Sequence, residues 1–269
     1  MTKTNQSVEF GHPEFWPEAF AAYPKFFEVI FRAGEALNGL STCRYENVNP
    51  WEKVIFNLAL LTGFSVMELI TLVGNGFGLG AMKIARTILE SSINAENLRL
   101  FPGECDDFME WHWVEQYKML KYVRENMPER LGELTDIEGT EIGFEKSKFR
   151  FLRKDGELRG GWCRLDLGSR AAKTGFTEAY KLIYPLGSQL IHGTFGGLAM
   201  HFDSTQASAR ISPPPSLNWC EQALAGGHVC LYRIVLTLSL TVNVEPSPSL
   251  AQLKDDFDYA WNRMHELGQ

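Results

Sequence analysis

The stretch GLGAMKIARTILESSINAENL, Gly78 to Leu98, decides the fold of this chain. It is apolar almost all round at helical spacing, a pattern that is typical of a helix buried in a core. Arg86 and Glu90 lie one turn apart in its middle. Because ionised groups inside a core need partners, we expect another polar helix surface to face this one.

The best partner for that surface lies far downstream, in YKLIYPLGSQLIHG, Tyr180 to Gly193. Tyr184, Ser188 and His192 recur there at every fourth position, so they line one face of a helix if Pro185 does not break it. The two helices would then enclose a polar site within an apolar bundle. The predicted site residues are Arg86, Glu90, Tyr184, Ser188 and His192.

Helix start and stop signals along the chain predict an all-α fold, a helical bundle of about seven or eight helices. We expect one single all-helical domain over residues 1–269, with its core at 50–245. An N-terminal helix at 14–40 and a C-terminal helix at 250–267 should pack on this core. Residues 137–161 lose the helical period, which predicts a small irregular or hairpin insertion there.

Two consecutive helices should form the centre of the bundle. Asn49 followed by Pro50 is a helix start, and the helix should run to about Val73. Gly74 to Gly76 then turns the chain, and helices with so short a connection pack as antiparallel neighbours. In the N-terminal helix, the residues expected to face the core are Phe20, Tyr23, Phe27, Ile30 and Phe31.

The charge of the chain argues against a broadly basic nucleic-acid binder, because the formal net charge is −7. The charge is unevenly distributed, however. Acids dominate Glu104 to Glu141, whereas Lys146 to Lys173 carries nine bases against three acids. Either both segments are solvated faces, or the basic segment approaches an anion.

The cysteines and the apolar segments lead us to expect a cytoplasmic protein. Five widely spaced cysteines without a CxxC pair are typical of reduced thiols. The N-terminus, MTKTNQSVEFGHPEF, lacks the apolar core of a secretory signal. Val54 to Val73 and His228 to Val244 are apolar but contain charged residues, so we expect buried helices and no stable membrane insertion.

Arg86 and Glu90 can pair at i, i+4 on one helix surface. The pair would either fix the packing of helices or hold the arginine as an oriented cation for a phosphate or carboxylate. His192 would either cap its helix or act as a general acid or base, with Ser188 and Tyr184 in support. Ser188 is a poor nucleophile candidate because no G-x-S-x-G elbow surrounds it.

A metal site is a weaker alternative. His192, His201 and Asp203 could be ligands, with Glu90 as a fourth. The chain has no H-E-x-x-H motif and no paired-cysteine motif, so we predict neither a metal nor a cofactor. Gly74 to Gly80 is rich in glycine, but it follows an apolar helix rather than a strand and is not interpreted as a phosphate loop.

Two motifs in this chain resemble those of a widespread, mostly bacterial, all-helical family of unknown function. The motifs are R-T-x-x-E, in ARTILESSINAENL, and Y-x-x-x-S-x-x-x-H, in YPLGSQLIHG. The resemblance covers roughly Trp51 to Ser204 and implies the all-helical fold without an assigned activity. The matching residues are Arg86, Thr87, Glu90, Tyr184, Ser188 and His192.

The same residues have a more distant similarity to the HEPN-like domains, the helical nucleotide-binding domains of higher eukaryotes and prokaryotes. Many of those domains are metal-independent ribonucleases of toxin and defence systems, with an arginine and a histidine four to six residues apart on one helix. This chain departs from that pattern, because Ser188 stands four residues before His192 and the central arginine, Arg86, lies on another helix.

These observations leave enzyme and non-enzyme hypotheses open. In the first, the protein cleaves RNA: His192 moves protons, Arg86 holds the phosphate, Glu90 orients Arg86, and Lys146 to Lys173 contacts the RNA backbone. In the second, the cluster is a non-catalytic binding module for a small anionic, nucleotide-like ligand or for a protein partner. In the third, the cluster is purely structural. The apolar faces of the bundle also lead us to expect a homodimer.

Overall fold

A computed structural model describes residues 11–42, 48–192 and 215–261 of the chain. Within these ranges the secondary structure consists of ten α-helices, four short 3-10 helices and two isolated β-bridges, without a strand. The predicted all-α fold is therefore confirmed. The helices are α1 (Trp16–Ala22), α2 (Pro24–Thr42), α3 (Pro50–Gly74), α4 (Gly78–Leu100), α5 (Cys105–Asn126), α6 (Ile137–Ser147), α7 (Leu167–Lys173), α8 (Thr177–Ile191), α9 (Cys220–Val242) and α10 (Leu250–Trp261).

Helix α4 lies at the centre of the bundle, in contact with α3, α7, α8 and α9. Its most extensive contact is with α3, as the short connection between them predicts. Gly76 in that connection has a φ of 73°, a left-handed conformation that glycine adopts without a steric penalty. Apolar side chains of α4 such as Met82, Ile88 and Ile93 are fully buried, which confirms that α4 is a core helix.

The start of α3 is fixed by hydrogen bonds to a carboxylate. Glu52 accepts one from the backbone N–H of Asn49 at 2.5 Å and another from the Asn49 side-chain amide at 3.0 Å. We expect Glu52→Ala to lower the free energy of unfolding by about 1 kcal/mol, because the helix start loses both bonds. Urea unfolding would measure this loss. Asn57→Ala, at an exposed position of the same helix, should change stability by less, and equal losses would contradict the capping role.

The predicted N-terminal helix is divided into α1 and α2 at Pro24. Proline has no backbone N–H and disfavours the helical conformation in the residue before it, and Tyr23 accordingly leaves the helix with φ −126° and ψ 49°. The break changes which side chains face inward. Phe27 and Ile30 are buried as expected, whereas Phe20 and Phe31 were predicted to be buried and are exposed.

The insertion predicted at 137–161 begins with a helix, α6, that the helical period did not indicate. Its two glycines allow close contacts: a side chain on Gly143 would collide with the ring of Trp113 in α5, and one on Gly139 would collide with the Asp136 carboxylate that caps α6. The hairpin is confined to the end of the insertion, where Leu152 and Leu158 form an antiparallel bridge. The hairpin turn contains Gly156, whose φ is 84°.

Several predictions fall partly or wholly outside the described residues. The last helix is seen as far as Trp261, whereas its predicted end lies at 267. His201, Asp203 and Cys43 are not among the described residues. The buried apolar side chains form one cluster that extends from Phe15 to Leu253. The assignment of all 269 residues to one domain stays a prediction.

Candidate functional site

Arg86 and Glu90 form the ion pair that their spacing predicts. Arg86 Nη2 lies 2.7 Å from Glu90 Oε1, and the two side chains are 16% and 35% exposed. The atoms are close but poorly aligned, because neither Glu90 Oε1 nor Arg86 Nε has a hydrogen-bond partner in the described structure although both atoms are buried. The pair is therefore a single electrostatic contact rather than a bidentate one.

The aromatic side chains of α8 form the opposite wall. The guanidinium carbon of Arg86 lies 4.7 Å from the centre of the Tyr184 ring, and Arg86 Nη2 donates a hydrogen bond of 3.3 Å to the Tyr184 hydroxyl. Tyr180, one turn earlier, stacks on Tyr184 at 4.8 Å with 17° between the rings. Arg86, Tyr184 and Tyr180 thus make a layered cation–aromatic stack. Burial, with the charge of Tyr184 next in importance, raises the pKa of Tyr180.

Gly187 sets how closely α8 approaches α4. A Cβ atom at this position would lie 2.8 Å from Arg86 Cβ and 3.1 Å from the carbonyl oxygen of Met82, so a larger residue would push the helices apart. Helix α8 continues through Pro185 to Ile191. The proline therefore does not break the helix, as the predicted site required.

Ser188 and His192 lie on the same helix, but no contact among the described residues joins them to the Arg86 cluster. His192 is the C-terminal cap of α8 and is exposed. Its backbone N–H donates to the Ser188 carbonyl at 3.0 Å. Tyr184 and His192 are two helical turns apart, about 12 Å along the axis. The described contacts thus place three of the five predicted residues together: Arg86, Glu90 and Tyr184.

A second half-buried arginine extends the site along α4. Arg170, from α7, donates to the Asn94 side-chain carbonyl and lies over the Trp162 ring at 4.9 Å. Burial lowers the pKa of Arg170, and the charge of Glu90 is among those that oppose this shift. Sequence reasoning missed Arg170 and Tyr180. Asn94 and Tyr180 could have been found, since they continue the four-residue spacing of Arg86–Glu90 and Tyr184–Ser188, but nothing in the local sequence marks Arg170.

Another Glu–Arg pair on α4 has a different geometry. Arg99 donates two hydrogen bonds to Glu96, at 2.9 and 2.8 Å, and the hydroxyl of Thr237 in α9 donates a third at 2.8 Å. Glu96 is buried, and its carboxylate connects α4 with α9. This network has the bidentate form that is expected of a structural ion pair, whereas Arg86–Glu90 does not.

Two arginines of the basic segment pair with carboxylates of the acidic segment. Arg150 lies near Asp106, Asp107 and Glu110 of α5, at 3.2 to 3.9 Å, and Arg159 lies 3.7 Å from Asp107. Two of the nine bases between Lys146 and Lys173 therefore face carboxylates of α5. The charge asymmetry of the sequence corresponds in part to this contact between the two segments.

The remaining candidate chemistry concerns metals and thiols. The described part of the chain has no group of three or more His, Cys, Asp or Glu side chains placed to hold a metal ion. The four cysteines within it are free thiols. Burial raises the pKa of Cys220 to about 11 and that of Cys230 to about 12, so both are protonated at neutral pH.

Comparison with known proteins defines the family of the chain. No curated protein and no solved structure matches it significantly. The comparisons give no link to HEPN-like domains and no restriction to bacteria. Residues 52–209, more than half of the chain, match the Family of unknown function (DUF5677), and the chain therefore belongs to that family.

Proposed function

We propose that this protein is a non-catalytic binding module for a small anionic, nucleotide-like ligand, held at Arg86. The observation that carries the proposal is the contrast between the two Glu–Arg pairs of α4. Glu96–Arg99 is bidentate and bonded to a third residue, whereas Arg86 has one misaligned carboxylate contact and a buried Nε without a partner. Buried polar groups normally have a partner, and a bound ligand is one explanation for a group that lacks one. The Nε atoms of Arg159, Arg170 and Arg233 are unpaired in the same way, so the misaligned carboxylate contact is what distinguishes Arg86.

The surroundings of Arg86 suit an anion attached to a flat group. A guanidinium held over an aromatic ring keeps its planar donors oriented for phosphate or carboxylate oxygens. The Tyr180–Tyr184 stack beside it offers an aromatic surface of the kind on which nucleobases stack. Arg170 brings a second desolvated cation to the same side of α4. A small ligand fits better than a polyanion, because Arg150 and Arg159 of the basic segment are engaged with carboxylates of α5.

The proposal is tested by calorimetric titration of the full chain with adenosine monophosphate and with inorganic phosphate. We expect Arg86→Gln to raise the dissociation constant for adenosine monophosphate by about tenfold or more, because one charge-assisted hydrogen bond contributes about 1.5–3 kcal/mol. Arg99→Gln is the matched control on the same helix. It should lower thermal stability but leave the dissociation constant within about twofold of the wild-type value.

Two outcomes would contradict the binding proposal. One is the absence of binding of either probe by the folded wild-type protein. The other is an Arg86→Gln variant that melts as far below wild type as Arg99→Gln does, which would make the Arg86 cluster a structural network like that of Arg99.

RNA cleavage is the second candidate function, and one observation favours it: His192 is exposed two turns beyond Tyr184 on the same helix. A general acid or base at that position would act on a phosphodiester adjacent to the one held by Arg86. Incubation with RNA in the presence of EDTA tests this role. Cleavage that is lost in a folded His192→Ala variant, whose affinity for adenosine monophosphate is unchanged, would establish the enzyme hypothesis over simple binding.

A further inference from the structure

Helix α3 presents an apolar face to solvent that the bundle does not cover. By length and composition, α3 and α9 are both apolar enough to cross a membrane, but α9 is mostly buried within the bundle, whereas α3 is mostly not. Four large side chains of α3 are exposed by 40% or more: Leu60, Leu61, Phe64 and Met67. At about 100° per residue these positions span one arc of roughly 120°, so they form a single face.

The α3 face continues into a groove toward α2. The groove has a volume of about 270 Å³, and Phe31 and Gly34 of α2 line it opposite Leu60 and Phe64. Phe31 is itself exposed, and no atom of the described residues lies within 4 Å of the position that a Gly34 side chain would take. Contiguous exposed apolar surface of this kind marks an interaction site rather than an ordinary solvated helix.

The charges of α3 indicate what covers the face. The exposed charged residues of α3 are one base near its start, Lys53, and one acid nearer its end, Glu68. Neither takes part in an ion pair within the described structure. The point midway between them falls between Leu60 and Leu61. A two-fold axis at that point relates Lys53 to Glu68, and it also relates Asn57 to Phe64.

We propose that the α3 face is the interface between two copies of this chain, with their α3 helices antiparallel about a two-fold axis between Leu60 and Leu61. Each Lys53 then meets Glu68 of the other copy, at both ends of a continuous apolar contact. Such a self-matching surface is what a two-fold dimer requires. A parallel arrangement would place Lys53 against Lys53. The proposal does not depend on ligand binding at Arg86.

A lipid surface fits the α3 face less well. Helices that lie on membranes carry several Lys and Arg residues on their polar side, which the headgroups attract. The exposed residues of α3 include one base and one acid, so the helix offers no net positive charge to anionic lipids. The same pair of charges is complementary in an antiparallel dimer.

Sedimentation velocity of the full chain, over a range of micromolar concentrations, tests the interface. We expect the wild-type chain to be dimeric and Phe64→Glu to weaken dimerisation by at least tenfold, because the charge enters the centre of the contact. Phe149→Glu is the matched control, since Phe149 is 71% exposed and Phe64 is 68% exposed. The control should dimerise like the wild type. Circular dichroism would confirm that both variants are folded.

Charge reversal tests the antiparallel geometry separately. Lys53→Glu and Glu68→Lys should each weaken dimerisation by about three- to tenfold, since each places like charges together at both ends of the contact. An equimolar mixture of the two variants should restore it, because every end of the mixed dimer then joins opposite charges.

Three results would overturn the proposal. A wild-type chain that stays monomeric at all concentrations tested would remove the dimer, and its capture by phosphatidylserine vesicles would assign the face to lipid instead. A Phe64→Glu variant as dimeric as the wild type would place the interface elsewhere. The antiparallel pairing would be excluded if the charge reversals left the dimerisation constant unchanged. It would also be excluded if mixing the two variants did not restore dimerisation.

Discussion

Glu96→Ala is expected to lower the free energy of unfolding by about 3 kcal/mol, whereas Glu90→Ala should lower it by less than about 1 kcal/mol. Glu96 is buried and accepts three hydrogen bonds, two from Arg99 and one from Thr237. Its removal leaves the guanidinium of Arg99, which is only 24% exposed, without its carboxylate. The carboxylate of Glu90 is more exposed and makes one contact.

The two variants are matched, because both replace a glutamate of α4 that pairs with an arginine within one turn. Urea unfolding at pH 7, with circular dichroism as the probe, would measure both free energies. Without Glu96, the single proton of the Thr237 hydroxyl can be donated to the Arg233 carbonyl, which lies 2.9 Å away, so the loss in Glu96→Ala reports mainly on the Glu96–Arg99 pair. Equal losses in the two variants would mean that Arg86–Glu90 is also structural, and the binding proposal would lose its main support.

Most of the helices could be predicted from local signals in the sequence. Asn49 and Pro50 mark the start of α3, and Pro102 and Gly103 mark the end of α4, because capping residues and helix breakers act within one turn of their own position. Helix α6 could not be predicted in this way. Its glycines lower its helix propensity, and the helix depends on packing such as the Tyr117–Phe144 stack, whose ring centres are 3.8 Å apart.

The site could be predicted only in part, because local spacing determines neighbours within one helix but not contacts between helices. The i, i+4 spacing places Arg86 beside Glu90 whatever the rest of the fold does. The meeting of Arg86 with Tyr184 required that α8 lies against α4, which the need for a buried partner suggested correctly. The spacing of Tyr184 and His192 predicts that both lie on one face of α8, but it does not predict how deeply each side chain is buried. His192 lies at the exposed end of that face.

Tertiary pairing explains what the charge pattern could not. The acids of α5 and the bases that follow α6 are separated by about 40 residues, and only the fold brings Arg150 to Asp107. An acidic segment followed by a basic one is compatible either with a basic surface that binds RNA or with ion pairs between the two segments. The structure shows neutralisation by α5 for Arg150 and Arg159, whereas Arg153 pairs locally with Glu157.

Acidification from pH 7 to pH 4 is expected to destabilise the protein by about 3 kcal/mol through one histidine, His228 of α9. Its ring is buried against Phe26 and Phe257, and its Nδ1 accepts a hydrogen bond of 3.0 Å from Trp261. A ring nitrogen that accepts a hydrogen bond must be unprotonated. Burial lowers the pKa of His228 to about 4, and the charge of Asp256 opposes this shift only in part.

The direction of the effect follows from which state binds the proton. Between about pH 6.5 and pH 4 the unfolded chain protonates His228 and the folded chain does not, so folding becomes less favourable as the pH falls. Asp256, whose pKa is lowered from 3.8, adds a loss of the same sign only at lower pH.

Urea unfolding of the wild type and of His228→Gln at pH 7, 5.5 and 4.5 separates the two contributions. His228→Gln should be less stable at pH 7 but depend less on pH, because its unfolded state gains no proton at this position. Equal pH dependence in both proteins would show that the ring is protonated without unfolding, and hence that Trp261 does not hold it neutral.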